Sequence, residues 1–232
     1  MEVWKMNTLQ IITDLKTYIN TLSEDDKKYI DYCIANKFFE LPGLCTIANL
    51  MDKLQTQYKH EEAKKNGGSQ ALKRQKVAEK ILKANRGGIR PQFEKAWEET
   101  IRGEKRQIFG CTYYIITLKD GYKVNTETET EKIMFKVDKF FEGQDVNKID
   151  FDITDIKQNF AEWKAEQKQK DKKMREAFCK IKIGNCGYNA EFFINCIEAM
   201  GSDAVLYQNE NQNGASFLEA ECGTALIMPC RL

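Results

Sequence analysis

The sequence predicts an α+β protein, with a small helical segment at the N-terminal end and a longer mixed part after it. Three observations carry that reading. Apolar residues recur at helical spacing through roughly the first sixty positions. Short strand-like runs separated by glycine and polar turns fill residues 92 to 137. The last stretch, from Gly187 to Leu232, reads as one helix followed by three short strands. A chain of 232 residues suffices for one or two domains with a core.

In chain order, Ile11, Ile12, Leu15, Tyr18, Ile19 and Leu22 share a helical face. Ser23 opens a second helix, with Asp26 three residues on as an imperfect capping box, and its face is Tyr29, Ile30, Cys33 and Ile34. Pro42-Gly43 breaks the chain before a third helix bearing Leu44, Ile47, Ala48, Met51, Leu54 and Tyr58. Such short helices are not stable alone in water, so they must pack together or onto something else. Leu41 to Met51 has a faint helix-turn-helix look, with Thr46 and Asn49 toward DNA. Yet Leu44 to Asp52 has none of the basic residues a recognition helix sets on phosphates, so a packing helix is the better reading. The polar run Glu61 to Ser69 holds two glycines and divides a helical segment, 1–66, from a domain at 70–232.

Gln70 to Arg86 is helical, with Leu72, Ala78, Ile81 and Leu82 apolar. Its other faces carry Lys73, Arg74, Lys76, Lys80, Lys83 and Arg86 against one acid, Glu79, on a chain whose formal net charge is only +1. A local cationic face of this kind suits contact with DNA phosphates irrespective of sequence; a solvated face is the plainer alternative. Gly87-Gly88 ends the helix. Strand-like runs follow at 92–101 and 106–118, and Asp120-Gly121 signals a hairpin into Tyr122 to Val124. Ile133, Phe135 and Val137 alternate in one further run, and Ile149, Phe151 and Ile153 in another. Residues 154–176 read as a long mixed-charge helix with only Ile156, Phe160, Trp163 and Met174 large and apolar, a surface insertion. A strand at 178–183 leads to the C-terminal part.

There, Asn189 caps a helix whose apolar residues are Phe192, Phe193, Cys196, Ile197 and Met200, and Gly201 ends it. Strands at Asp203 to Gln208, Ala215 to Ala220 and Thr224 to Met228 follow. Pro229 lacks a backbone donor, which places the last residues at or just off a sheet edge.

The run Tyr188-Asn189-Ala190-Glu191-Phe192-Phe193, the short helix, the three strands and the terminal Ile227-Met228-Pro229-Cys230-Arg231-Leu232 resemble the end of the bacterial sliding clamp, the DNA polymerase III beta subunit. The likeness covers about the last fifty residues by motif, 70–185 by order of elements, and 1–66 not at all. It implies a single clamp-like domain of two β-α-β-β-β halves, with the helices at 70–86 and 188–200 in matching places. It also implies a non-enzymatic protein of DNA replication or repair, of the kind a phage or other mobile element carries. Such a protein would act as a processivity factor or as a docking module. Short peptides of polymerase and repair proteins would bind a cleft lined by Asn189, Phe192, Leu226, Met228, Pro229 and Arg231. The basic helix would face double-stranded DNA, and copies would assemble. The family's chains hold three such domains, whereas this one has room for one. Its C-terminal helix bears Glu191 and Glu198 with no Lys or Arg between Gly187 and Gly201, which argues against encircling DNA.

Reactive chemistry is sparse. The one histidine, His60, lies in a Lys- and Glu-rich helix end, a poor setting for an oriented base. The eight cysteines are scattered without a CxxC pair, which reads as free buried thiols in a reducing, cytoplasmic setting. Neither a P-loop nor a dinucleotide fingerprint occurs. Asp145, Asp150, Asp152 and Asp155 read as solvated acids rather than a nuclease site. The expectation is therefore no catalytic residues, no metal and no cofactor. A second reading is a DNA-binding regulator that uses the N-terminal helices.

Overall fold

A computed structural model describes residues 44–129, 136–141, 146–211 and 214–230, together with Thr13, Thr17, Asn20, Ser23 and Asp25; over 44–54 and at 141 it describes the backbone alone. The chain divides into two compact units, 1–62 and 63–232. In the first, Thr13, Thr17, Asn20 and Asp25 are helical, and the Thr17 hydroxyl donates to the Thr13 carbonyl at 2.9 Å. The apolar faces expected for the first two helices, and the side chains of Thr46 and Asn49, lie outside the described residues.

Helix α1 spans Leu44–Asn85 and is broken only at Gly67 (φ −146, ψ 20) and Gly68 (φ 67, ψ −155). The run Glu61 to Ser69, read as the boundary, is helical except at these two glycines. Lys, Glu, Ala and Gln on either side are good helix formers, and only the glycines leave the helical region. Gly68 has a backbone conformation restricted almost entirely to glycine, and a Cβ at Gly67 would lie 2.6 Å from that of Ala71.

The second unit contains strands β1 (Ala96–Ile101), β2 (Glu104–Cys111), β3 (Tyr114–Lys119), β4 (Thr128–Glu129) and β5 (Val146–Ile149). Helix α2 (Ile153–Gln169) leads to the hairpin β6 (Lys180–Ile183) and β7 (Cys186–Asn189). Helix α3 (Ala190–Met200) then precedes β8 (Val205–Asn209), β9 (Ser216–Ala220) and β10 (Gly223–Ile227). Eight strands form one sheet in the order β4-β1-β2-β3-β10-β9-β8-β5. Its pairs are antiparallel except for β4 beside β1. A helix followed by a three-stranded meander occurs twice, as helical residues 69–85 with β1–β3 and as α3 with β8–β10. The two third strands pair at the middle of the sheet, from Tyr114↔Ile227 to Leu118↔Gly223. A strand runs into the helix only the second time, where β7 passes directly into α3; before 69–85 stand the two kink glycines and, ahead of them, helix.

Alternation along the strands divides the core in two. One face packs Phe109, Ile116, Leu218 and Ala225 against Val77, Ala78, Ile81 and Leu82 of α1 and Phe193, Cys196 and Ile197 of α3. The other gathers Trp97, Ile108, Ile115, Phe217 and Leu226 with Phe93 and Val137. Helix α2 lies at the surface with one face on the core. Ile156, Phe160 and Trp163 recur at helical spacing and pack on the first cluster, and Lys157 meets Glu198 of α3 at 3.0 Å. It is also shorter than expected, since Met174 lies in a separate 3-10 turn, Lys172–Met174.

Other strand expectations shift for physical reasons. The run 106–118 folds as two strands joined at Thr112-Tyr113. Asp120-Gly121 does turn the chain, with Tyr122 N donating to Lys119 O at 3.1 Å. Tyr122 to Val124 forms no strand, however, because β2 and β10 occupy both edges of β3. Two buried glutamines pair with this segment instead. Gln107 donates to Val124 O at 3.0 Å and accepts from Val124 N at 2.8 Å, and Gln75 does the same to Asn125 at 3.0 and 2.8 Å. Of the run ending at Val137, Ile133 and Phe135 lie outside the described residues, and Val137 precedes a 3-10 turn. The run Ile149, Phe151, Ile153 crosses from β5 into the first residue of α2, and β1 starts only at Ala96.

Candidate functional site

Asn189 caps α3 as its residue type requires. Its side-chain oxygen accepts from Glu191 N at 3.0 Å and Phe192 N at 3.4 Å, two donors the helix itself leaves unpaired. Phe192 therefore lies in the first turn, where its ring stacks on Tyr113 (5.8 Å, 17°) and tilts against Tyr114 (5.0 Å, 36°). Tyr113 stands in the β2–β3 turn and is 59% exposed. The chain leaving β10 passes the same turn: Met228 N donates to Tyr113 O at 2.8 Å and Cys230 N to Gly187 O at 2.8 Å. Pro229 falls between these two donors, at the position where a missing N–H costs nothing.

This arrangement brings together some of the expected cleft residues and separates others. Phe192 and the backbone of Met228 and Pro229 meet around Tyr113. Leu226, only 3% exposed, is on the opposite face of the sheet in the second cluster, and the Met228 side chain leans on that same cluster. The helix face and the strand face do not close into one cleft, because β10 alternates and Leu226 is out of phase with Ala225 and Ile227. Arg231 lies outside the described residues. Tyr113 was missed because Cys111-Thr112-Tyr113-Tyr114 contains no turn-forming residue. The available signal was Gly110, where a Cβ would lie only 2.3 Å from Tyr114 O.

The basic helix is likewise divided. Lys73, Lys76, Lys83 and Arg86 are exposed. Arg74 is 5% exposed; its Nε donates to Ala199 O at 2.9 Å and its guanidinium lies over the Tyr122 ring at 5.4 Å. Burial on the α3 side removes it from any DNA-facing surface. Lys80 pairs with Glu191 at 2.7 Å and donates to Asn195 Oδ1 at 3.2 Å. With Gln70 donating to Glu198 O at 2.8 Å, these contacts join 70–80 antiparallel to α3. Both acids of α3 are thereby matched, Glu191 by Lys80 and Glu198 by Lys157.

Among the described residues no group of three His, Cys, Asp or Glu could hold a metal, and no helix is long and apolar enough to cross a membrane. The described cysteines are free, and burial pushes the thiols of Cys111, Cys179, Cys196 and Cys222 up, away from nucleophilic thiolates. Asp152 caps α2 through Thr154 N at 2.7 Å, Asp150 and Asp155 are exposed, and Asp145 lies outside the described residues. A shallow hollow of about 290 Å³ by Pro91, Gln92, Glu94, Lys95 and Glu129 contains no histidine, cysteine or serine. No family model, no curated protein and no solved structure matches the chain.

Proposed function

We propose that this chain is a non-enzymatic docking module of DNA replication or repair, of the sliding-clamp type that its C-terminal motif resembles. Its halves are the two helix-and-meander units. It holds short peptides of polymerase-associated proteins at the surface formed by Tyr113, Phe192 and the chain at Met228 and Pro229. The stacked, exposed Tyr113 over half-buried Phe192 carries this reading. A rigid aromatic pair beside a proline offers apolar area at little ordering cost, as peptide anchors require. Burying ~200 Å² of apolar surface there is worth on the order of 5 kcal/mol before ordering costs, hence micromolar to millimolar affinity that depends on a second contact. Lys73, Lys76, Lys83 and Arg86 supply a contact to double-stranded DNA without sequence preference.

Titration of a labelled clamp-binding peptide with the full chain tests the assignment, with a melting curve for each variant. Tyr113→Ala is expected to weaken binding tenfold or more with the melting temperature little changed. No affinity in the parent protein, or an unchanged affinity in folded Tyr113→Ala, would overturn it.

A further inference from the structure

A second cationic surface begins where α2 ends. From Lys164 to Lys182 the chain carries eight Lys and Arg against three acids. One acid, Glu176, is held by Lys170 at 3.0 Å and by the Trp163 indole at 3.1 Å, and these bonds keep its carboxyl below the usual range. Lys168, Lys172, Lys173, Arg175, Lys180 and Lys182 are exposed and form no ion pair among the described residues.

The hairpin orders part of this charge. In β6, Ile181 and Ile183 enter the core while Lys180 and Lys182 point outward. Across the ladder Lys182 faces Gly187, which has no side chain, and Lys180 faces Asn189, whose side chain is turned to cap α3. The ladder reaches one residue further back, with Ala190 N donating to Cys179 O at 2.9 Å. Phe178, 39% exposed, precedes it directly, and Met174 nearby is 72% exposed. Successive outward positions on an extended strand are ~6.6 Å apart, close to the spacing of phosphates along an extended single strand.

We propose that this surface binds single-stranded nucleic acid without sequence preference. Lys180, Lys182 and the lysines of the 172–173 turn contact phosphates, and Phe178 offers a ring on which a base stacks. An anionic membrane fits less well. Met174 and Phe178 are separated by Arg175, Glu176 and Ala177, and Phe178 is more than half covered, so they do not protrude together. The proposal is independent of the peptide surface around Tyr113.

The test uses the full chain and fluorescein-labelled oligothymidylate at several salt concentrations. Parallel arms contain a duplex of equal length and phosphatidylcholine vesicles with and without phosphatidylserine. The parent protein is expected to bind the single strand more tightly than the duplex. Its log affinity should fall linearly with log salt, by ~0.7 per phosphate contact. K172E/K173E/K180E/K182E should weaken binding at least tenfold and flatten that slope. Phe178→Leu should weaken it several-fold with the slope unchanged, a separation that charge alone does not produce. K73E/K76E/K83E should lower single-strand affinity less than the quadruple variant does. Four results would each overturn the proposal: no binding by the parent, full binding by the quadruple variant, loss confined to K73E/K76E/K83E, or tighter binding to phosphatidylserine vesicles than to the oligonucleotide. Should the glutamate variant lose its melting transition, the same four lysines changed to glutamine are read in its place.

Discussion

Arg74 puts a guanidinium where the last turn of α3 offers a carbonyl with no partner in its own helix. A cation there also complements the negative end of the helix dipole. Arg74→Ala leaves the buried Ala199 O with only the long Cys222 Sγ contact at 4.0 Å and removes the contact over Tyr122, so it should cost about 2–4 kcal/mol. Lys73→Ala, one residue away and exposed, should change stability by no more than ~0.5 kcal/mol. Urea midpoints of the two variants check this, and equal midpoints would show that Arg74 is not a bracket between helices. The distinction was legible in the sequence. Arg74 lies four, seven and eight residues before Ala78, Ile81 and Leu82, on their face, whereas Lys73, Lys76, Lys80 and Lys83 follow one another on another. Counting charge along the helix without its period merged the two. Leu226 and Met228 show the converse: two apart on an extended chain they share a face, but parity alone does not say which face of a sheet is covered.

Among the elements, those whose ends are set by local chemistry could be read directly. Asn189 and Gly201 bound α3, and the terminal meander falls within a residue or two of its expected limits. Elements that depend on a free edge could not. Asp120-Gly121 is a sound turn signal, yet whether a strand follows depends on what already pairs with β3, and that partner comes from the other end of the chain. Gln107 takes the place of the missing ladder. Gln107→Leu should leave Val124 N and O unpaired and cost about 2–3 kcal/mol. Amide hydrogen exchange localises the effect: Val124 and Asn125 should exchange faster, while the β2–β3 ladder keeps its protection. Uniform acceleration across both would show that the glutamine supports the sheet and not the loop.

For the molecule as a whole, the α+β class and the recurrence of helix then strands could be read from periodicity. The joining of the two meanders into one sheet could not, because nothing local in Tyr114 to Lys119 or Gly223 to Ile227 names the other. That pairing links residues about a hundred positions apart, and it has a consequence in time. As the chain is synthesised at roughly 5–20 residues per second, β3 emerges with one apolar edge open, and β10 follows about 5–20 s later. Throughout that interval Tyr-Ile-Ile-Thr-Leu-Lys presents unpaired backbone to any other nascent chain. A fragment that stops at Gly201 should therefore collect in the insoluble fraction, and co-expression of 202–232 should return part of it to solution. A soluble fragment with protected β3 amides would show that the edge is covered by other means. The open edge of β3 thus stays available to any strand-bearing chain until the ribosome completes its neighbour.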